Sequence, residues 1–155
     1  MLRALRPQDA KHLFAIFSDP QVTEHYDLDT LTEESQARAL IEKFTHRFER
    51  DIGLRWAIVR PDAPDVVLGT CGCNIWIQPS ARAILGYDLG RHHWRQGVMS
   101  QALRATFGFG FTRMALNRVE ALSFAENTAS QRLLEKLGFS FEGMLRKYEL
   151  VKGRF

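Results

Sequence analysis

A chain of 155 residues, 45% of them hydrophobic, is long enough for one domain with a real core, expected to span 1–155. Its formal charge of +3 and pI near 9.1 are mildly basic, which suits an anionic ligand and falls short of the basic, aromatic-laced stripe of a nucleic-acid binder. No apolar run is long enough to cross a bilayer, and Met1-Leu2-Arg3 is not expected to open a secretory signal.

The predicted elements begin with a short strand at Leu2–Leu5. Arg6-Pro7-Gln8-Asp9 then turns into a helix whose Ala10, Leu13, Phe14 and Phe17 fall at helical spacing. Ser18-Asp19-Pro20 ends it. Thr30-x-x-Glu33 reads as a capping box opening a second helix, with Ala37, Leu40, Ile41, Phe44 and Phe48 on one face. Leu54–Arg60 and Val66–Ile77 are strands around a turn at residues 61–65, and Ala83–Leu89 is a third after Gln78-Pro79-Ser80. A helix is expected from Gly97 to about Arg113, a strand over Arg118–Phe124, and a helix over Thr128–Leu137 with Gly138 just past its end. A last strand is expected from Phe139 to about Val151. The pattern predicts an α/β fold, a mixed sheet with helices on both faces.

Cys71 and Cys73 alternate along a strand, so they share a face and cannot readily bridge each other. A reduced cytoplasmic compartment is therefore expected. His92 and His93 face opposite ways in an extended segment, and no further His, Cys or carboxylate cluster supports a metal site.

Trp94-Arg95-Gln96-Gly97-Val98-Met99 is a loop that opens a helix. Backbone N–H groups at such a junction lack intrahelical partners and carry the positive end of the helix dipole, so a pyrophosphate fits there. A Gly at 97 lets the phosphate approach closely. Arg91 either reaches a phosphate or is solvated, and Trp94 reads more readily as an aromatic anchor in the core than as a ligand stack. Downstream, Asn127 and Ser130 lie three apart at a helix start and share a face. On residue type alone, Asn127 is an N-cap and Ser130 a first-turn residue.

Taken together and in order, the loop at Trp94–Leu103, then Asn117-Arg118-Val119-Glu120, Asn127-Thr128-Ala129-Ser130, Leu137-Gly138-Phe139 and Glu142-Gly143 resemble the GNAT superfamily of N-acetyltransferases. Within it they resemble the ribosomal-protein N-terminal acetyltransferases, the RimJ/RimL group. The resemblance implies the GNAT acyl-CoA N-acyltransferase fold, a mostly antiparallel sheet, here expected to lack the family's final strand after Gly153-Arg154-Phe155. It implies acetyl-CoA as cosubstrate, its pyrophosphate held by the backbone of Arg95, Gln96, Gly97, Val98 and Met99. Arg95 stands where the family has a second glycine, and so must itself adopt the loop conformation.

By the same resemblance, the thioester lies between splayed strands, with amides near Leu89 and Gly90 facing its carbonyl. Asn127 would bind the pantetheine arm or the acyl end, and Ser130 would help protonate the leaving thiolate. Glu149 falls at the position of the group's proposed general base; as a residue it reads equally as a solvated carboxylate. Glu24, His25 and Tyr26 are weaker candidates along the acceptor groove. The implied reaction is direct transfer of an acetyl group to a primary amine, a protein N-terminus first. The alternatives are a small amine, such as a polyamine or amino sugar, and a non-catalytic acyl-CoA-binding module. No nucleic-acid or membrane partner is expected. Self-association, as a homodimer or as a soluble aggregate, is expected through the sheet edge that a missing final strand would leave open.

Overall fold

The structure, a computed structural model, describes residues 1–153. Its core is a five-stranded sheet in the spatial order β1-β2-β3-β4-β5. The strands are β1 (Leu2–Ala4), β2 (Leu54–Arg60), β3 (Ala63–Ile77), β4 (Arg82–Leu89) and β5 (Arg118–Glu120). β1 to β4 are antiparallel neighbours, and β5 joins β4 in parallel. The helices are α1 (Ala10–Phe17), α2 (Pro20–Thr23), α3 (Glu34–Glu49), α4 (Val98–Arg113) and α5 (Thr128–Lys136).

Strand alternation sorts these helices onto two faces. Ala57, Val59 and Val67 point to one side and pack with Leu13, Phe17, Leu40, Ile41 and Phe44 of α1 and α3. Ile58 and Leu68 point to the other, where Met99, Ala102 and Leu103 of α4 and Leu134 of α5 cover them with Leu85 and Leu89. This is the expected mixed, mostly antiparallel α/β sheet with helices on both faces, and it is the GNAT arrangement.

Four local expectations need correction. The second helix starts later than predicted: Glu33 is its N-cap, and Gln36, not Glu33, closes the box by accepting from the Glu33 amide. Thr30 instead binds the Thr23 hydroxyl at 2.6 Å. The four-residue α2 was not foreseen; Pro20 at its first position and the Asp19 carboxylate on the Gln21 amide begin it. β5 stops at Glu120 rather than Phe124. Residues 139–150 form no strand, and Val151 makes a single bridge. A strand exists only where a ladder supports it. β5 offers three residues, and Lys147 takes a positive φ of 51° inside the expected extended run. Arg118, through Glu142, fastens this irregular segment to β5. The expectation attached to Arg154 and Phe155 lies outside the described residues.

The end of α5 agrees with its sequence. Gly138 has φ 92° and donates to Glu135, while Phe139 donates to Leu134 at 3.1 Å, the paired bonds of a Schellman cap. Phe139 then packs on Phe107 of α4, ring centroids 5.6 Å apart.

Candidate active site

β4 and β5 are paired only at Arg82–Ile84 against Arg118–Glu120. Beyond that point β4 runs on to Leu89 paired with β3 but not with β5. The sheet is therefore split along the C-terminal half of β4. In an antiparallel ladder the main-chain groups of successive residues point to opposite sides. The Gly90 amide points to β3 and donates to Leu68 at 2.8 Å, so it is not free for a thioester carbonyl. The Leu89 amide points the other way, into the split. Of the two amides expected to face the reacting carbonyl, the geometry leaves that of Leu89.

The loop before α4 lies past the end of β4. Arg95 has φ 59° and Gly97 φ 77°, two left-handed residues in one short turn. Gly97 is the N-cap of α4 and offers no side-chain cap, whereas Asn127 and Asp19 cap their helices with side-chain oxygens. The first amide bonded along the helix is that of Gln101, to Gly97 at 3.1 Å. The amides of Val98, Met99 and Ser100 precede it, without i−4 carbonyls to take them. Arg95, Gln96 and Gly97 are exposed, Val98 is half-buried, and Met99 is buried in the core. Gln96 braces the loop by donating to the His92 carbonyl at 2.7 Å. This cradle fits a pyrophosphate: helix-start amides, an uncapped dipole and a flanking guanidinium.

Two loop neighbours are otherwise engaged. Arg91 pairs with Asp19 at 2.6 Å. Trp94 is 41% exposed rather than a core anchor, and its indole N–H donates to the Leu89 carbonyl at 2.7 Å. Cys71 and Cys73 are buried free thiols, and burial pushes both up to about 11, so neither is a thiolate at neutral pH. Among the described residues no group of three or more His, Cys, Asp or Glu gathers as a metal would need.

At the reacting end, Asn127 Oδ1 accepts from the Ser130 amide at 3.1 Å, the N-cap arrangement. Its amide nitrogen is the end left for a ligand. The Ser130 hydroxyl lies 2.7 Å from the Tyr87 hydroxyl, a bond that joins β4 to α5. Glu149 is exposed, and no hydrogen bond among the described residues ties it to Ser130, Asn127 or Tyr87. Of the groove candidates, Glu24 is exposed, and the His25 ring stands 6.3 Å from that of Phe124, in the loop between β5 and α5.

Sequence reasoning missed a buried polar network beside this split. Arg55 of β2 reaches Asp88 on β4, Thr70 at 2.7 Å, Asn74 at 2.8 Å and Tyr26 at 3.0 Å, and lies over the Phe44 ring. Asp88 also accepts from the Thr70 amide and hydroxyl. Gly86 is where this network meets β4: a Cβ there would come within 2.4 Å of Arg55 and 2.3 Å of Asn74. It is a site of close approach. The signal was an Arg and an Asp inside otherwise apolar strands, Leu54-Arg55-Trp56 and Tyr87-Asp88-Leu89.

The split strand pair and the uncapped helix start define an acyl-CoA-dependent acyltransferase. A family model described as an acetyltransferase (GNAT) domain matches residues 1–140, and the chain belongs to that family. It is 42% identical over 153 residues to the uncharacterized N-acetyltransferase p20 of Bacillus licheniformis, covering 99% of this chain and 85% of that one. It is 37% identical to the uncharacterized N-acetyltransferase YoaA of Bacillus subtilis, with 99% and 86% covered. Its fold matches that of an acetyltransferase from Salmonella typhimurium that modifies the N-terminal serine of ribosomal protein L7/L12, with a TM-score of 0.85, 20% identity, and 99% and 88% of the two chains covered. The chain is thus a GNAT-type, acetyl-CoA-dependent acetyltransferase.

Proposed function

We propose that this chain moves the acetyl group of acetyl-CoA directly to a protein N-terminal α-amino group, in the manner of the RimJ/RimL group. The observation that carries the reading is the split beside β4, with the uncapped start of α4 beyond one end and Ser130 on its α5 side. In this reading the α4 amides with Arg95 and Gly97 hold the pyrophosphate, Leu89 N–H binds the thioester oxygen, Asn127 meets the pantetheine arm, and Ser130 donates to the departing sulfur. No cysteine is placed to carry the acetyl group, so the amine attacks the thioester itself.

The choice of acceptor rests on proton chemistry. An α-amino group of pKa about 8 keeps roughly a tenth of its molecules as free base at neutral pH, whereas a lysine of pKa about 10.4 keeps fewer than about one in a thousand. An exposed carboxylate such as Glu149, acting directly or through water, is a modest base and matches the easier task. The fold likeness to the Salmonella enzyme supports the same acceptor class. We further propose that the chain works as a homodimer in the cytoplasm.

The test is thiol release from acetyl-CoA with N-terminal peptides, lysine peptides, polyamines and amino sugars. Fastest turnover on N-terminal peptides is expected, and Glu149→Gln should slow it most at low pH, where the amine is hardest to deprotonate. Turnover confined to small amines would reassign the acceptor. Tight CoA binding without turnover would make the chain a binding module. An unaltered pH–rate profile in Glu149→Gln would remove that carboxylate from the mechanism.

A further inference from the structure

We propose that Tyr87 is a positioning residue for Ser130, donating its phenolic proton to the serine oxygen so that the serine O–H is turned toward the thiolate. This rests on the reading of Ser130 as the proton donor. The Tyr87 ring packs with the apolar side chains between β4, α4 and α5, while its hydroxyl meets Ser130 at 2.7 Å. Burial, partly offset by the serine bond, raises the phenol above its ordinary value, so it stays protonated at neutral pH.

A serine hydroxyl has one proton and two lone pairs. Both bonds that fix Ser130 come from its own helix start and from Tyr87: its amide is held by Asn127, and its oxygen lies against the phenol. If Ser130 donated to Tyr87, its proton would point away from the cleft. With Tyr87 as donor, the serine proton is free, and the bond it receives makes it a better donor. As the C–S bond breaks, the sulfur keeps the bonding electron pair and is met by the serine proton. If that proton transfers, the serine oxygen takes the Tyr87 proton, and solvent returns one to the phenolate.

Tyr87→Phe keeps the ring and removes only the donor. It should lower kcat about tenfold, within the range of a lost acid–base contribution, with CoA affinity by calorimetry and the KM for acetyl-CoA unchanged. Ser130→Ala should lower kcat similarly, and adding Tyr87→Phe to it should cost nothing further. Ser130→Thr, which keeps the hydroxyl, should retain most of the rate. Full kcat in Tyr87→Phe beside a slow Ser130→Ala would overturn the proposal and leave Ser130 in place. An equal loss in both backgrounds would show that the phenol hydroxyl acts independently of Ser130 and would also overturn it. Full kcat in Ser130→Ala would remove the donor itself, and with it the proposal. If Tyr87→Phe fails to melt cooperatively or to bind CoA, the Ser130→Ala and Ser130→Thr pair decides: a threonine as slow as alanine would overturn a role resting on the hydroxyl.

Discussion

Arg55 and Asp88 form an ion pair whose side chains are each only 2% exposed. Burial works against the Arg55 charge, but the adjoining Asp88 carboxylate outweighs it and holds the guanidinium protonated. Burial likewise pushes the Tyr26 phenol up to about 12, so it stays neutral and accepts from Arg55. Removing one member strands the other without water. Asp88→Asn should therefore cost about 3–5 kcal/mol of stability, read from the denaturant midpoint. Asp9, only 1% exposed, is a milder case. Burial alone would raise its carboxyl, but bonds from Arg3, at 2.8 Å, and from the Arg6 amide outweigh it and hold the group below the usual carboxylate range. Its contribution is fully present above about pH 4, the ordinary value of an unfolded aspartate, and is lost as pH falls through the depressed folded value. Asp9→Asn should lower stability at neutral pH and shrink the further loss on acidification, as measured by melts across pH.

At the scale of elements, what was legible was what the local chain decides. The start of α4 could be read because Gly97 sits where a left-handed residue must, and the Schellman cap at Gly138 could be read for the same reason. The Thr30–Glu33 box was misread because Gln36 competes for the same N-terminus three residues on. The Phe139–Val151 strand was misread because its apolar residues promise a strand that only a neighbouring ladder could deliver. The α4 loop also gives a direct test. Gly97 faces open space, so a side chain there meets no protein atom, but its φ of 77° is one a β-branched residue resists. Gly97→Val should re-aim the helix-start amides and weaken CoA binding roughly tenfold or more, about the worth of 1–2 kcal/mol of strain. The fold should survive, because the core residues of α4 begin at Met99. Unchanged affinity by calorimetry would move the pyrophosphate elsewhere.

Across the whole molecule, the two faces of the sheet are unequally finished. The α1/α3 side is closed over its core. Past α5, Phe141 is 81% exposed, Met144 65% and Tyr148 61%, a run of apolar side chains on an irregular segment. Such surface favours association. Light scattering across a concentration series should show mass rising with concentration, and a compact monomer throughout would remove the dimer. The sequence marks Arg55 and Asp88 as charges within apolar strands but not whom they meet, because the partners stand 15 to 33 residues apart and meet only once the sheet is paired.

That network also sets which residues of the proposed acceptor groove are free to diversify. Within residues 24–27, Tyr26 is the one tied by its side chain to the sheet interior, its hydroxyl meeting Arg55. Its neighbours Glu24 and Asp27 are exposed, and His25 only leans on Phe124. Selection for a new amine can therefore rewrite residues 24, 25 and 27 at little cost to folding, while position 26 is closed to it. A mutational library in this groove should yield altered acceptor profiles from those three positions and unfolded protein from the fourth.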